Sequence, residues 1–239
     1  MSRLFLVRHG QASFLEQNYD KLSAVGETQA RLLGEHWARS GACFHRIYSG
    51  PRSRQTETAR IVGEAYNSAG LPWPGVEVIQ EFDEYAGDSV LDASLPSLAE
   101  NDPDIHGLQQ AFLGAATSAE KHRTFQKLFE VVIGRWVAGE ITVENVESWA
   151  EFSVRVGRGL SQISANGSRG EDVAIFTSGG PIGIAMQRAL DLSARNALKT
   201  AWMVRNCSYS EFLFSGDRFT LSSFNASPHL DNASLLTYR

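Results

Sequence analysis

Apolar positions along the chain follow two periods that take turns. Leu4-Phe5-Leu6-Val7 is a run of strand formers that ends abruptly in Arg8-His9-Gly10. It predicts a buried strand delivering a cation and an imidazole into a loop. From Ser23 to about Ser40 the spacing becomes helical. Ser23 is the candidate N-cap, Ala30, Leu33 and Trp37 share a face, and Gly41 ends the helix. Phe44 to Ser49 reads as a second strand, roughly Arg54 to Ser68 as a second helix stopped by Gly70, and Val76-Glu77-Val78-Ile79 as a short third strand. Residues 89–150 depart from this rhythm. Pro96 and Pro103 come early, and a long helical pattern then runs through Phe125, Leu128, Phe129, Val132 and Trp136, which predicts a helical insert or lid. Trp149 to Ile163 is again helical, and Val173-Ala174-Ile175-Phe176-Thr177 is a strongly apolar strand. Ser178-Gly179-Gly180-Pro181 leads into a helix through about Leu190, and Tyr209 to Phe214 with Arg218 to Phe224 predict a hairpin around Ser215-Gly216-Asp217.

Alternating strand and helix patterns predict α/β layering. The 239 residues suffice for a real core, and no linker or repeat divides them. A net charge of −5 disfavours nucleic acid and anionic membranes as partners, so any anion site must be a local concentration of arginine. Cys43 and Cys207 are too few for a disulfide framework and lack metal spacing, which suits a reducing compartment. No apolar run reaches transmembrane length, and Arg8 and His9 interrupt any signal-peptide pattern. The expectation is a soluble, cytoplasmic protein.

Three strand ends carry polar clusters: Arg8-His9-Gly10, the stretch from Ser49 to Ala59, and Thr177-Ser178-Gly179-Gly180. If the strands are parallel neighbours, all three clusters meet at one edge of the sheet, where open α/β sheets place their ligands. Arg8, one of Arg52 or Arg54, and a helix N-terminus would then converge. Guanidinium forks and helix N–H groups suit a phosphoryl or sulfuryl group. A plain strand end carrying two polar residues is the alternative that these residues leave open.

The same residues resemble the histidine phosphatase superfamily, the phosphoglycerate mutase-like proteins. The likeness lies in Leu6-Val7-Arg8-His9-Gly10-Gln11-Ala12, in Leu22-Ser23-x-x-Gly26-x-x-Gln29-Ala30, and in Pro51-x-x-Arg54-x-x-Glu57-Thr58-Ala59. It extends to Phe82-Asp83-Glu84, to Gly179-Gly180 and weakly to Asn206-Cys207-Ser208, and leaves out 89–150. With the alternation above, it implies one domain over 1–239: an α/β three-layer sandwich with a mostly parallel central sheet flanked by helices. It also implies a phosphomonoesterase in which His9 is the nucleophile and forms a phosphohistidine. Arg8 and Arg54 would clamp the phosphoryl oxygens, with Gly10, Ser178 and Gly179 beside them. Arg54 fits the motif spacing, whereas Arg52 reads as a solvated surface cation. Glu84 would be the general acid, with Asp83 and Glu81 as close rivals. Gln11, Ser13 and Asn18 are lesser candidate ligands.

One position departs from the family's pattern. A second histidine ordinarily precedes the late Gly-Gly, and here that position is Ser178. Serine donates one neutral hydrogen bond and brings no positive charge, although Ser178 also suits a helix N-cap. Three outcomes follow: an intact enzyme using Ser178 as a ligand, a weakened one, or a protein that binds a phosphorylated ligand without efficient turnover. A phosphoglycerate mutase is the further alternative, and it would need 89–150 to exclude water from the phosphohistidine. His229 either folds back towards the site or packs near the C-terminus. His36, His45, His106 and His122 lack metal spacing, so no metal site or cofactor is assigned. The implied partner is a small phosphorylated substrate, and the aromatic-rich insert is a candidate homo-oligomer interface.

Overall fold

A computed structural model describes residues 1–13, 20–216 and 218–238. The chain divides into two compact units, one formed by Met1–Glu84 with Arg155–Arg239, the other by Tyr85–Val154. In the first unit, strands β1 (Ser2–Arg8), β2 (Arg46–Ser49), β3 (Val76–Val78), β4 (Asp172–Thr177), β5 (Tyr209–Ser215) and β6 (Arg218–Ala226) form one sheet in the order β3-β2-β4-β1-β5-β6. The first four run parallel, and β5 and β6 add an antiparallel edge. Chain order does not follow spatial order, because β4 enters late and lies between β1 and β2. This crossover makes the ends of β1, β2 and β4 neighbours. The register pairs Arg8 with Thr177 and Ser49 with Phe176, so all three polar clusters leave the sheet at one edge.

Helix α1 (Ala24–Ser40) begins where expected: Ser23 accepts from the Gly26 N–H, and Gly41 closes the helix with a left-handed φ of 73°. With α2 (Ser53–Ser68) it covers one face of the sheet. There Phe5, Val7, Ile47, Ala174 and Phe176 pack with Leu33, Trp37, Val62 and Tyr66. Phe5 meets Trp37 and Phe44 edge-on, the geometry that the ring quadrupoles favour. The other face, with Leu4, Leu6, Val173 and Ile175, is equally closed from solvent. Helix α7 (Gly179–Leu190) lies against β1 and β6, and α8 (Ala194–Met203) packs on α7. A Cβ on Gly179 or Gly183 would strike the carbonyls of Ala201 or Ala197, so these glycines set the α7–α8 distance.

The second unit contains α3 (Gly87–Asn101), α4 (Pro103–Leu113) and α5 (Ser118–Val137). The long helical pattern expected through Phe125 and Trp136 is α5, and two further helices, α3 and α4, precede it. Pro96 lies within α3, whereas Pro103 starts α4, with Asp102 capping it and pairing with Arg135. Leu128, Phe129, Val132, Ile133 and Trp136 form the buried stripe of α5. Helix α6 (Trp149–Ala165) begins in this unit and ends in the first.

Candidate active site

Strand β1 carries His9 out of the sheet and buries it, leaving the residue 5% exposed. The His9 N–H donates to the Thr177 carbonyl at 2.8 Å, and Asn206 Nδ2 donates to the His9 carbonyl at 3.1 Å. The ring is fixed at both nitrogens. Nδ1 lies 2.7 Å from the Gly10 carbonyl oxygen, and Nε2 lies 3.1 Å from Arg54 Nε. A carbonyl only accepts and a guanidinium only donates. Nδ1 therefore carries the proton, and Nε2 presents its lone pair. Burial pushes the imidazole well below its ordinary pKa, and the Arg54 and Arg8 charges push it further. His9 is thus a neutral, oriented base at neutral pH.

Gly10 is needed for backbone contact. A Cβ there would lie 2.5 Å from the Gly26 carbonyl oxygen of α1. Its N–H donates to Thr58 Oγ1 at 3.0 Å, and the same hydroxyl donates to the Arg54 carbonyl at 2.6 Å. The Gly10 N–H is thereby committed to α2. Gln11 and Ser13 are committed as well. Gln11 bonds to Gln29 and Ser23, and Ser13 to the Lys21 and Leu22 backbone. Asn18 lies outside the described residues.

Arg54 is 4% exposed in the first turn of α2. Its Nη1 pairs with Asp20 at 2.9 Å, and Asp20 also accepts from the Ser53 N–H at 2.8 Å. Arg8 is half-buried, and its Nη1 donates to the Val204 carbonyl. Arg52 corrects the expectation of a solvated cation. It is half-buried, pairs with Asp83 at 2.5 Å, donates to the Glu84 carbonyl at 3.2 Å, and its charge is felt at His9. The N-cap position of α2 holds Arg52 against the turn that follows β3, a placement that local sequence does not reveal.

The three acidic rivals separate clearly. Glu81 faces Arg158 at 3.4 Å, and Asp83 pairs with Arg52. Glu84 directs Oε2 to the Gly180 N–H at 3.1 Å, at the N-terminus of α7. Ser178 is fully buried at the N-cap position of α7, but its side chain does not cap. Its Oγ accepts from Gln55 Nε2 at 2.8 Å, which leaves its O–H as a donor. Gln55, Thr58, Asp20 and Asp83 escape sequence reasoning as site-builders. Gln55 and Thr58 share the buried face of α2 with Arg54 and both lie in the Ser49–Ala59 polar cluster, the signals that point to them.

The His229 ring lies tilted against His36, with centroids 6.0 Å apart, and the residue is 7% exposed. It packs, as the second of its two readings holds. Both cysteines are free thiols, Cys43 exposed and Cys207 buried. No described helix is long and apolar enough to cross a membrane.

The adjoining strand ends of this α/β sheet gather a neutral histidine, guanidinium groups and a helix N-terminus, residue types that complement an anion. The sequence pattern of the histidine phosphatase superfamily (branch 1) matches residues 4–127 and 106–227, and the chain belongs to that superfamily. No curated protein sequence matches it significantly. Similar solved structures include a phosphoglycerate mutase from Bacillus anthracis, with 19% identity, a TM-score of 0.64, and coverage of 96% of this chain and 95% of the other. A phosphoserine phosphatase from Entamoeba histolytica, solved with 3-phosphoglyceric acid, shares 18% identity at a TM-score of 0.63, covering 96% and 100% of the two chains. A mycobacterial glucosyl-3-phosphoglycerate phosphatase shares 21% identity at a TM-score of 0.60, covering 94% and 99%. At these identities the likeness is one of fold.

Proposed function

We propose that the protein hydrolyses a small phosphate monoester through a phosphohistidine on His9. The observation that carries this reading is the His9 ring, held neutral with its Nε2 lone pair directed at Arg54. Nε2 attacks phosphorus as the bond to the leaving oxygen breaks. Arg8 and Arg54 hold the equatorial oxygens, and the N-terminal amides of α7 with the Ser178 O–H add neutral donors. Glu84 delivers its proton to the leaving oxygen. Its carboxylate then takes a proton from water as the water oxygen attacks phosphorus and the P–N bond breaks, releasing inorganic phosphate.

Release of phosphate from p-nitrophenyl phosphate and from a panel of sugar and nucleotide phosphates tests this reading. Wild type is expected to turn over at least one, and His9→Ala none. Equal slow release by both proteins across the panel would end the hydrolase reading. Ser178 supports one alternative, since it adds no charge and its oxygen is held by Gln55. That alternative is a phospholigand-binding protein with little turnover, and calorimetry would show it as tight phosphate-ester binding without product.

A further inference from the structure

The turn that presents Glu84 is held far more completely than its irregular backbone requires. Every carbonyl from Gln80 to Glu84 accepts a side-chain hydrogen bond. Arg155 Nη1 reaches those of Gln80, Glu81 and Asp83 at 3.0, 3.0 and 3.3 Å. Thr177 and Gln55 reach that of Phe82 at 2.8 and 3.3 Å, and Arg52 Nη2 reaches that of Glu84 at 3.2 Å. The Asp83 carboxylate is the hub of the last turn. Its Oδ1 accepts from Arg52 Nε at 2.5 Å and from the Glu84 N–H at 2.7 Å. One ion pair therefore grips both peptide groups of Glu84. Gly180 N–H fixes the far end of the same side chain at 3.1 Å.

We infer that Arg52 and Asp83 are positioning residues that aim the Glu84 carboxyl at the leaving oxygen of the substrate. This rests on the reading of Glu84 as the general acid. The pair's side chains are 30% and 34% exposed, and ion pairs this open contribute roughly 0–1 kcal/mol to stability. Stability alone therefore gives little reason for it. Placement does, because general acid catalysis depends on geometry before anything else.

The test compares two substrates that differ in their need for an acid. Glycerol 2-phosphate leaves as a strongly basic alkoxide and needs its proton, whereas p-nitrophenyl phosphate leaves as a weak base and hardly needs one. Glu84→Gln is expected to lose on the order of 100-fold or more in kcat on the glycerol ester, and much less on the nitrophenyl ester. Arg52→Ala and Asp83→Ala are expected to copy this signature in weaker form: roughly 10-fold in kcat on the glycerol ester, under about 3-fold on the nitrophenyl ester, with KM nearly constant. The two substitutions change the charge near His9 in opposite senses. A shared signature therefore reports position and not field. Asp83→Asn keeps an acceptor oxygen and should recover part of the loss. Arg52→Lys should not, because one ammonium cannot reach both acceptors in the same way. Equal losses on both esters, a rise in KM without a fall in kcat, or no loss in either variant would overturn the inference while leaving the hydrolase reading intact. Absence of His9-dependent turnover in wild type would instead remove that reading, and the positioning role with it. Circular dichroism and urea midpoints confirm that the compared variants are folded.

Discussion

His229 should make the fold acid-sensitive by an amount that its environment sets. The ring is buried, and that burial, with His36 beside it and only partial opposition from the Cys207 backbone, pushes its pKa down to about 4. An unfolded histidine titrates near 6.5. Below that value the unfolded chain takes up a proton that the folded ring refuses, so stability is full above pH 6.5 and falls as pH drops toward 4. The full loss is about 3 kcal/mol, and about 2 kcal/mol of it falls between pH 7 and pH 5. The perturbation is His229→Leu, which removes the titration and keeps an apolar filling. Urea unfolding followed by tryptophan fluorescence at pH 7 and pH 5 gives the change in stability for each protein. Carboxylates and His9 contribute equally to both and cancel in the difference. Wild type should lose about 2 kcal/mol more than the variant over this interval. Equal losses in the two proteins would refute the reasoning.

Three further outcomes follow from the site. Thr58→Val removes the acceptor for the buried Gly10 N–H, and urea unfolding should show a loss of about 1–3 kcal/mol, largely restored in Thr58→Ser. Arg54→Lys cannot meet His9 and Asp20 together, so kcat/KM should fall roughly 100-fold in steady-state assays, and unchanged kinetics would remove Arg54 from the site. Ser178→Ala should weaken vanadate inhibition and turnover by about 10-fold, the worth of one hydrogen bond at the upper end of the neutral range; unaltered constants would show that its O–H does not reach the anion.

What is legible in the chain is what short-range pattern encodes. An apolar run ending in Arg8-His9-Gly10 announces a strand and its loop, and Ser23 and Gly41 announce the ends of α1, because capping and burial are local. Sheet order is not local. Nothing near Asp172–Thr177 says that this strand lies between β1 and β2, yet that insertion brings Ser178 and Gly180 to the site. Helix α8 goes unread because its buried residues, Ala197, Leu198 and Ala201, are mostly small and give a faint stripe. Helices α3 and α4 go without bounds in the sequence, because Pro96 and Pro103 interrupt the local pattern, yet Pro96 lies within α3 and Pro103 opens α4. The error over Arg52 has the same root: its partner Asp83 is 31 residues away, and an arginine between Pro51 and Ser53 looks like any exposed cation.

The Ser178 position bears on how the site keeps its charge. A second histidine beside the nucleophile would have two tasks: disfavouring a proton on His9 and donating to the phosphoryl oxygens. The first is already done here by burial and by Arg54, Arg8 and Arg52, which lower the His9 pKa in that order. Arginine stays charged at any pH a protein meets, whereas an imidazolium is lost near neutrality. Fixed guanidinium charge thus keeps the attacking ring neutral without a titrating neighbour. On the proposed reading the second task would pass to neutral donors, the Ser178 O–H and the amides at the head of α7, which gain strength from a buried setting but add no net charge. A site built this way would, on the same reading, give up some stabilisation of the transferring phosphoryl group and bind the anion through guanidinium groups that keep their charge between about pH 7 and 9. A phosphate monoester, with its second pKa at about 6, is already largely dianionic there, so binding to such a site should be nearly flat with pH across that range.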